Sequence, residues 1–186
     1  MSKYMNLIGK NAKKASLEKV NTKIKNNVLK KYYSLLNKEK NSILKANAKD
    51  VEFAFKKKLK KNLIDRLTIN YDKLNNIRNS IKKIIKLKDP VDNILDKWRR
   101  PSGLKINKVS IPIGVMGVIY ESRPNVTSDI AALCFKSGNA VILKGGSEAI
   151  NTNKILAKLF RKALKQSKVN ENFIQFVESK NRKMVD

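Results

Sequence analysis

Val115-Met116-Gly117-Val118-Ile119-Tyr120, the segment Glu121-Ser122-Arg123-Pro124-Asn125-Val126-Thr127 behind it, and further on Ala140-Val141-Ile142-Leu143 with Lys144-Gly145-Gly146-Ser147-Glu148 decide the fold. Each begins as a short, unbroken apolar run and ends in a polar turn. Runs of that kind suit strands covered on both faces of a parallel sheet. Between them, Val126 to Lys136 returns to helical spacing through Ile130, Leu133 and Cys134. After them, Ile150 to Leu164 does so again, with Ile155, Leu156, Leu159, Phe160 and Ala163 on its core side. Phe173 to Val177 is predicted as a third strand. Alternating strand and helix builds a parallel sheet with right-handed crossovers, so residues 101–186 are read as a partial α/β unit.

Working upstream, Leu104 to Ile111 alternates as a strand does, and Trp98 to Gly103 carries a turn signal. Before that the chain reads as helix after helix, with no glycine between Lys10 and Ser102. Ile24, Val28, Tyr32, Leu35 and Leu36 form one apolar stripe. A second runs through Ile43, Leu44, Ala48, Val51, Phe55 and Leu59, and a third through Leu74, Ile77, Ile81, Ile84 and Ile85. Thr68 or Asn70 can cap the third helix, and Asp89-Pro90 ends it. Residues 1–100 are therefore a helical segment, joined to the α/β unit without a floppy linker.

Composition removes several classes of function. The chain has 186 residues, 41% of them hydrophobic, which is enough for one substantial core. It has no histidine, so a His-based triad or imidazole zinc site cannot be built from it, and no metal is expected. The single cysteine excludes an internal disulfide and suits a reducing cytoplasm. No signal-peptide segment or apolar run of membrane-spanning length is present, so no membrane association is expected. The formal charge is +27, from 42 basic and 15 acidic residues, and suggests a polyanion partner at first sight. Only seven of the bases are arginine, the residue that bidentate phosphate and base recognition favours. Nucleic acid is accordingly expected to bind only nonspecifically, although a basic nucleic-acid-binding module remains the alternative function, beside a non-functional remnant.

Open parallel sheets bind ligands outside the carboxyl ends of their strands, which directs attention to the loops after Tyr120 and Leu143. The first opens a helix, whose amino terminus offers unpaired amides and partial positive charge. Asn125 can serve there as an oxyanion donor or as an N-cap. Arg123 beside it could meet a substrate carboxylate or phosphate, or form a surface ion pair. In the second loop Gly145 and Gly146 allow close approach of a ligand, Lys144 can reach ribose hydroxyls or phosphate, Ser147 can cap the next helix and Glu148 follows. The same residues also describe a plain glycine turn with an exposed lysine. Cys134 lies in an apolar stripe, where a thiol has little thiolate, and is read as structural.

Taken whole, Val109-Ser-Ile-Pro-Ile-Gly-Val-Met-Gly-Val-Ile-Tyr-Glu-Ser-Arg-Pro-Asn-Val-Thr127 and Ala131-Ala-Leu-Cys-Phe-Lys-Ser-Gly-Asn-Ala-Val-Ile-Leu-Lys-Gly-Gly146 closely resemble the gamma-glutamyl phosphate reductase (glutamate-5-semialdehyde dehydrogenase) family of the aldehyde dehydrogenase superfamily. Weaker similarity runs through Ala46-Asn47-Ala48-Lys49-Asp50, Asp65-Arg66-Leu67 and Asp89-Pro90-Val91. The resemblance implies an aldehyde-dehydrogenase-like fold in which 1–100 and 101–186 are parts of one cofactor-binding domain. It implies NADPH-dependent reduction of L-glutamyl 5-phosphate to L-glutamate 5-semialdehyde in proline biosynthesis, with glutamate 5-kinase as pathway neighbour. A homo-oligomer is compatible with it. Lys144, with Gly145, Gly146, Ser147 and Glu148, matches the cofactor side, where a cation suits the 2′-phosphate, and Asn125 matches the oxyanion asparagine. In that superfamily a cysteine thiolate attacks the acyl carbon, and hydride from the nicotinamide reduces the thioester. That cysteine belongs to a catalytic domain beyond Asp186, so the chain is expected to be an amino-terminal part that is inactive alone.

Overall fold

Val115, Met116 and Val118 are flanked by glycines and by a turn, and they form the first strand of a parallel sheet. The computed structural model describes residues 3–179. Its sheet contains β3 (Val115–Ile119), β4 (Ala140–Lys144) and β5 (Ile174–Phe176) in that order. Val115 pairs with Ala140 and Ile119 with Lys144, while Val141 pairs with Ile174 and Leu143 with Phe176. The crossovers are α6 (Pro124–Lys136) and α7 (Ile150–Gln166). Both predicted buried strands and both predicted helices are present. Phe173 falls in a short 3-10 turn ahead of β5, and the part of the predicted α/β unit beyond residue 179 lies outside the described residues.

Gly138 sets the joint between α6 and β4. Its φ of +75° closes the helix, and a Cβ there would stand 2.9 Å from Pro112 Cγ. The amide of Asn139 returns to the Cys134 carbonyl at 2.8 Å, and the Asn139 carboxamide oxygen accepts from the Gly114 amide at 2.8 Å. One residue thus ends the helix, starts the strand and ties β4 to the entry of β3.

The first half holds α1 (Lys3–Ser16), α2 (Thr22–Lys38), α3 (Lys40–Lys56), α4 (Lys61–Leu67) and α5 (Tyr71–Lys86). α1 buries Ile8, Ala12 and Ala15 and crosses the three strands, so β4 is covered on both faces. α2 and α3 pack on α7, and α5 packs on α2 and α6. Tyr32 of α2 meets Phe160 of α7 at 4.5 Å between ring centroids, and Phe135 of α6 meets Phe173 at 5.3 Å. The Tyr32 hydroxyl and Ser128 of α6 share a buried hydrogen bond of 2.6 Å, so this tyrosine brings no unsatisfied oxygen into the core.

Three expectations change, and an open choice is settled. The second stripe overruns its helix: α3 ends at Lys56, Lys58 adopts φ +51°, and the Leu59 amide bonds back to the Ala54 carbonyl. Phe55 is exposed, because the turn leaves that face of α3 without a neighbour. Asn70, not Thr68, caps α5, accepting from the Lys73 amide at 2.8 Å, while Thr68 closes α4. Finally, Trp98 lies within a strand. β1 (Ile94–Arg99) pairs antiparallel with β2 (Lys105–Val109), and Arg100–Leu104 forms the turn. β1 is exposed throughout, which conceals it from any reading based on burial periodicity.

Among the described residues, no helix is long and apolar enough to cross a membrane.

Candidate functional site

The carboxyl ends of β3 and β4 are adjacent because the strands pair in register, and the loops they deliver are bonded to one another. The Tyr120 amide donates to the Lys144 carbonyl at 3.0 Å, extending the ladder past β3. The Ser122 hydroxyl donates to Glu148 Oε1, and the Ser147 hydroxyl to Glu148 Oε2 at 3.1 Å. A Cβ on Gly145 would lie 2.2 Å from Asn153 Nδ2 and 3.1 Å from the Tyr120 ring. Glycine is therefore required at 145 by the approach of two side chains of the same chain. At Gly146 an added Cβ would meet Glu148 Oε1 at 2.4 Å, which the flexible carboxylate can yield.

Below the loops a buried polar chain fixes their seats. The Tyr120 hydroxyl pairs with Thr127 Oγ1 at 2.6 Å, and Thr127 donates to Asn153 Oδ1 at 2.9 Å. Burial pushes the Tyr120 phenol up to about 12, against the pull of the Thr127 hydroxyl, so it stays protonated through the neutral range. Sequence reasoning did not single out Ser122, Thr127 or Asn153. Ser and Thr at the start of a helix look like ordinary capping residues.

Lys144 is not an exposed lysine. It is 9% exposed, its ammonium donates to the Ser179 carbonyl, and burial holds its pKa below the usual lysine value. No ion pair to it forms among the described residues, where a neutral carbonyl is the acceptor of its ammonium. Ser147 does not cap α7. That place is taken by Asp50 of α3, whose Oδ2 accepts from the Thr152 amide at 2.7 Å and whose Oδ1 accepts from the Asn151 amide at 3.2 Å.

Asn125 stands at the second position of α6, behind Arg123 at the cap and Pro124 at the first position, so the N-cap reading of Asn125 fails. Proline suits the first position because the amide it lacks has no helical partner there. The exposed Asn125 carboxamide donates to Asp129 Oδ2 at 3.3 Å, one turn along. Arg123 is exposed and makes no ion pair among the described residues, so the surface salt bridge expected of it is not formed.

Pro124, Asn125 and Asp129 also wall a cleft of about 160 Å³ against α4 and α5, whose contributions include Arg66, Asn76, Ile77 and Ser80. That volume holds more than an isolated water. Asp129 Oδ1 is buried there without a well-formed hydrogen bond. Burial pushes its carboxyl up, opposed by the Asn125 amide and the nearby Ser80 hydroxyl. The i, i+4 spacing of Asn125 and Asp129 puts both on one face of α6 and could have signalled the pair; their meeting with Arg66 could not be read from spacing. Cys134 lies in the apolar half of α6, where burial pushes its thiol up to about 11 and leaves it a poor nucleophile. Among the described residues no cluster of three or more metal-ligating side chains forms.

No protein-family model matches the chain. It is 46% identical over 170 residues to a gamma-glutamyl phosphate reductase of Persephonella marina, an alignment covering 91% of this chain and 38% of that protein. It is 44% identical over 188 residues to one of Clostridium tetani, covering 100% of this chain and 44% of that protein. The crystal structure of the Thermotoga maritima gamma-glutamyl phosphate reductase superposes with a TM-score of 0.94 at 39% identity, over 97% of this chain and 44% of that one. A probable aldehyde dehydrogenase of Listeria monocytogenes superposes with a TM-score of 0.70 at 12% identity, over 97% of this chain and 37% of that one, and shares the fold. The chain thus spans less than half the length of each of these relatives.

Proposed function

From this chain's homology to the gamma-glutamyl phosphate reductases, we propose that it is the cofactor-binding part of an NADPH-dependent reductase that converts L-glutamyl 5-phosphate to L-glutamate 5-semialdehyde. One observation carries the reading. The loops at the carboxyl ends of two paired parallel strands are bonded together, with a buried lysine that has no counter-ion among the described residues on one and a carboxamide at a helix amino terminus beside the other. Ligands of open α/β sheets bind at that end of the strands.

The residues fit the cofactor. The Lys144 ammonium, held among the described residues by a neutral carbonyl, would take the 2′-phosphate, and the backbone from Gly145 to Glu148 ahead of α7 would border the rest. When bound, NADPH supplies the hydride. The chain's own residues position and stabilise. The Asn125 carboxamide, at the positive end of α6, would donate to the developing acyl oxyanion, a contribution of about 3 kcal/mol for one well-placed donor. Arg123, exposed and without an ion pair among the described residues, would meet the departing phosphate, which a planar guanidinium can grip in bidentate fashion. Cys134 is not the nucleophile; in this reading the attacking thiol lies on the part of the relatives that this chain does not span.

Titration of the chain with NADPH and with NADH, read by nicotinamide fluorescence, tests the proposal. NADPH should bind more tightly than NADH, and Lys144→Met should weaken NADPH by about tenfold or more while sparing NADH, as expected for a charge-assisted hydrogen bond. Equal binding of both nucleotides, unchanged by the substitution, would remove Lys144 and the cofactor assignment together.

A further inference from the structure

We propose that the cleft between α4, α5 and the start of α6 recognises an α-amino-acid head group, with Asp129 receiving the ammonium and Arg66 the carboxylate. This rests on the reading of the chain as part of a glutamyl phosphate reductase and deepens it, by naming the residues that distinguish a glutamyl substrate from a simple acyl phosphate.

The argument starts from two unbalanced charges in one cleft. Asp129 Oδ1 is removed from solvent and has no well-formed hydrogen bond among the described residues, while Asn125 donates to its other oxygen at 3.3 Å and the Ser80 hydroxyl stands nearby. A buried carboxylate oxygen left in that state is costly unless a cation or donor arrives to complete it. Across the cleft are two cations with different commitments. The Lys73 ammonium is already spent on the backbone, donating to the carbonyls of Asp65 and Thr68 and locking the turn between α4 and α5. Arg66 has no hydrogen bond or ion pair among the described residues and stays exposed at the rim. Among the described residues, the cleft thus presents an acid with one unpartnered oxygen inside and a guanidinium without a protein partner at its edge. An α-ammonium and an α-carboxylate on a single carbon carry the complementary pair, and a guanidinium binds a carboxylate through two parallel bonds.

Position supports the same ligand. Asn125 touches Asp129 and stands in the first turn of α6, next to the loop at the end of β3, so a molecule whose reacting carbonyl meets the start of α6 would place its far end in this cleft. Burial keeps the Asp129 carboxyl above its usual range, and an arriving ammonium would reverse that by favouring the charged form. Ile77 and Pro124 on the walls offer apolar contact to the methylenes between the two ends.

Binding of three small acids to the chain, measured by ligand-detected NMR, decides the matter. L-Glutamate carries both head-group charges, glutarate lacks the ammonium, and 4-aminobutanoate lacks the α-carboxylate. L-Glutamate should bind about tenfold or more tightly than either. Asp129→Asn should erase the preference over glutarate without changing glutarate binding, and Arg66→Met should erase the preference over 4-aminobutanoate. Equal affinity for all three acids, absence of binding by any of them, or a preference that survives both substitutions overturns the proposal. The comparison among acids in the unsubstituted chain gives the answer even if one variant does not fold. An NADPH titration on the same sample separates the two readings. Cofactor binding without head-group discrimination sinks this inference alone, whereas discrimination without cofactor binding sinks the cofactor assignment alone.

Discussion

Lys25 and Asp89 are 64 residues apart and meet in a nearly dry pocket, their side chains 3% and 11% exposed. The Lys25 ammonium lies 3.0 and 2.9 Å from the two carboxylate oxygens, and Thr22 and the Val91 amide also donate to them. Burial pushes the Asp89 carboxyl up, but these donors outweigh it and leave the group below its ordinary value. A carboxyl depressed in the folded state contributes stability above its unfolded value of about 4, and that contribution disappears as pH falls through the lower folded value. Asp89→Asn would strand a buried ammonium and should destabilise the chain at pH 7 by about 3 to 5 kcal/mol. Urea unfolding at pH 7 and at pH 3 should show the gap between parent and variant shrinking in acid; an equal gap at both would refute the pairing as its source. Nothing local to Asp89 announces Lys25. Its visible role is to precede Pro90, and the structure adds a partner that only packing of α2 against the end of α5 could bring.

At the scale of the element, α7 shows how a helix can depend on a distant one for its start. Its own cap position is Ala149, which has no side-chain acceptor, and Asp50 of α3 reaches across to take both first-turn amides and the Thr152 hydroxyl. A carboxylate there also opposes the positive end of the helix dipole. Asp50→Ala should cost about 1 to 3 kcal/mol, the penalty of leaving buried donors unmet. Amide hydrogen exchange at Asn151 and Thr152 should accelerate more than in the middle of α7; uniform acceleration would show a global loss of stability instead of a lost cap. Asn47, one turn earlier on α3, repeats the device by bonding the Leu67 carbonyl, the Ile69 amide and Thr152. The helices themselves were legible because buried faces repeat at three and four residues. Ser147 does not cap α7, although a capping side chain looks the same in sequence whether or not a rival carboxylate occupies the place, and Asn125 stands one residue inside α6, where Pro124 has already opened the helix.

Across the whole molecule, 42 bases face 15 acids, so 27 positive charges would remain even if every acid were paired (42 − 15 = 27). Most lie on outward faces of the helices, where the lysine stems cover apolar surface and the ammonium groups stay in water. The chain should bind mixed-sequence duplex DNA at 50 mM salt and lose roughly a thousandfold or more in affinity by 200 mM, the signature of counterion release. Tight binding that persists at the higher salt and prefers one sequence would point instead to a nucleic-acid function. The exposed hairpin of β1 and β2 lies at the same scale, visible only once the parallel sheet is assembled without it.

The order of β3, α6, β4, α7 and β5 and the exclusion of histidine chemistry and of an internal disulfide followed from the linear chain. Each depends on periodicity, on glycine placement or on which residue types are present, and these are local properties. The tertiary structure alone decided that Lys144 is buried with no counter-ion among the described residues, that Gly145 is demanded by Tyr120 and Asn153, and that Asp129 and Arg66 share a cleft. Those facts are contacts between residues far apart in sequence, and their energies come from desolvation and close approach, quantities that do not exist until the chain has packed.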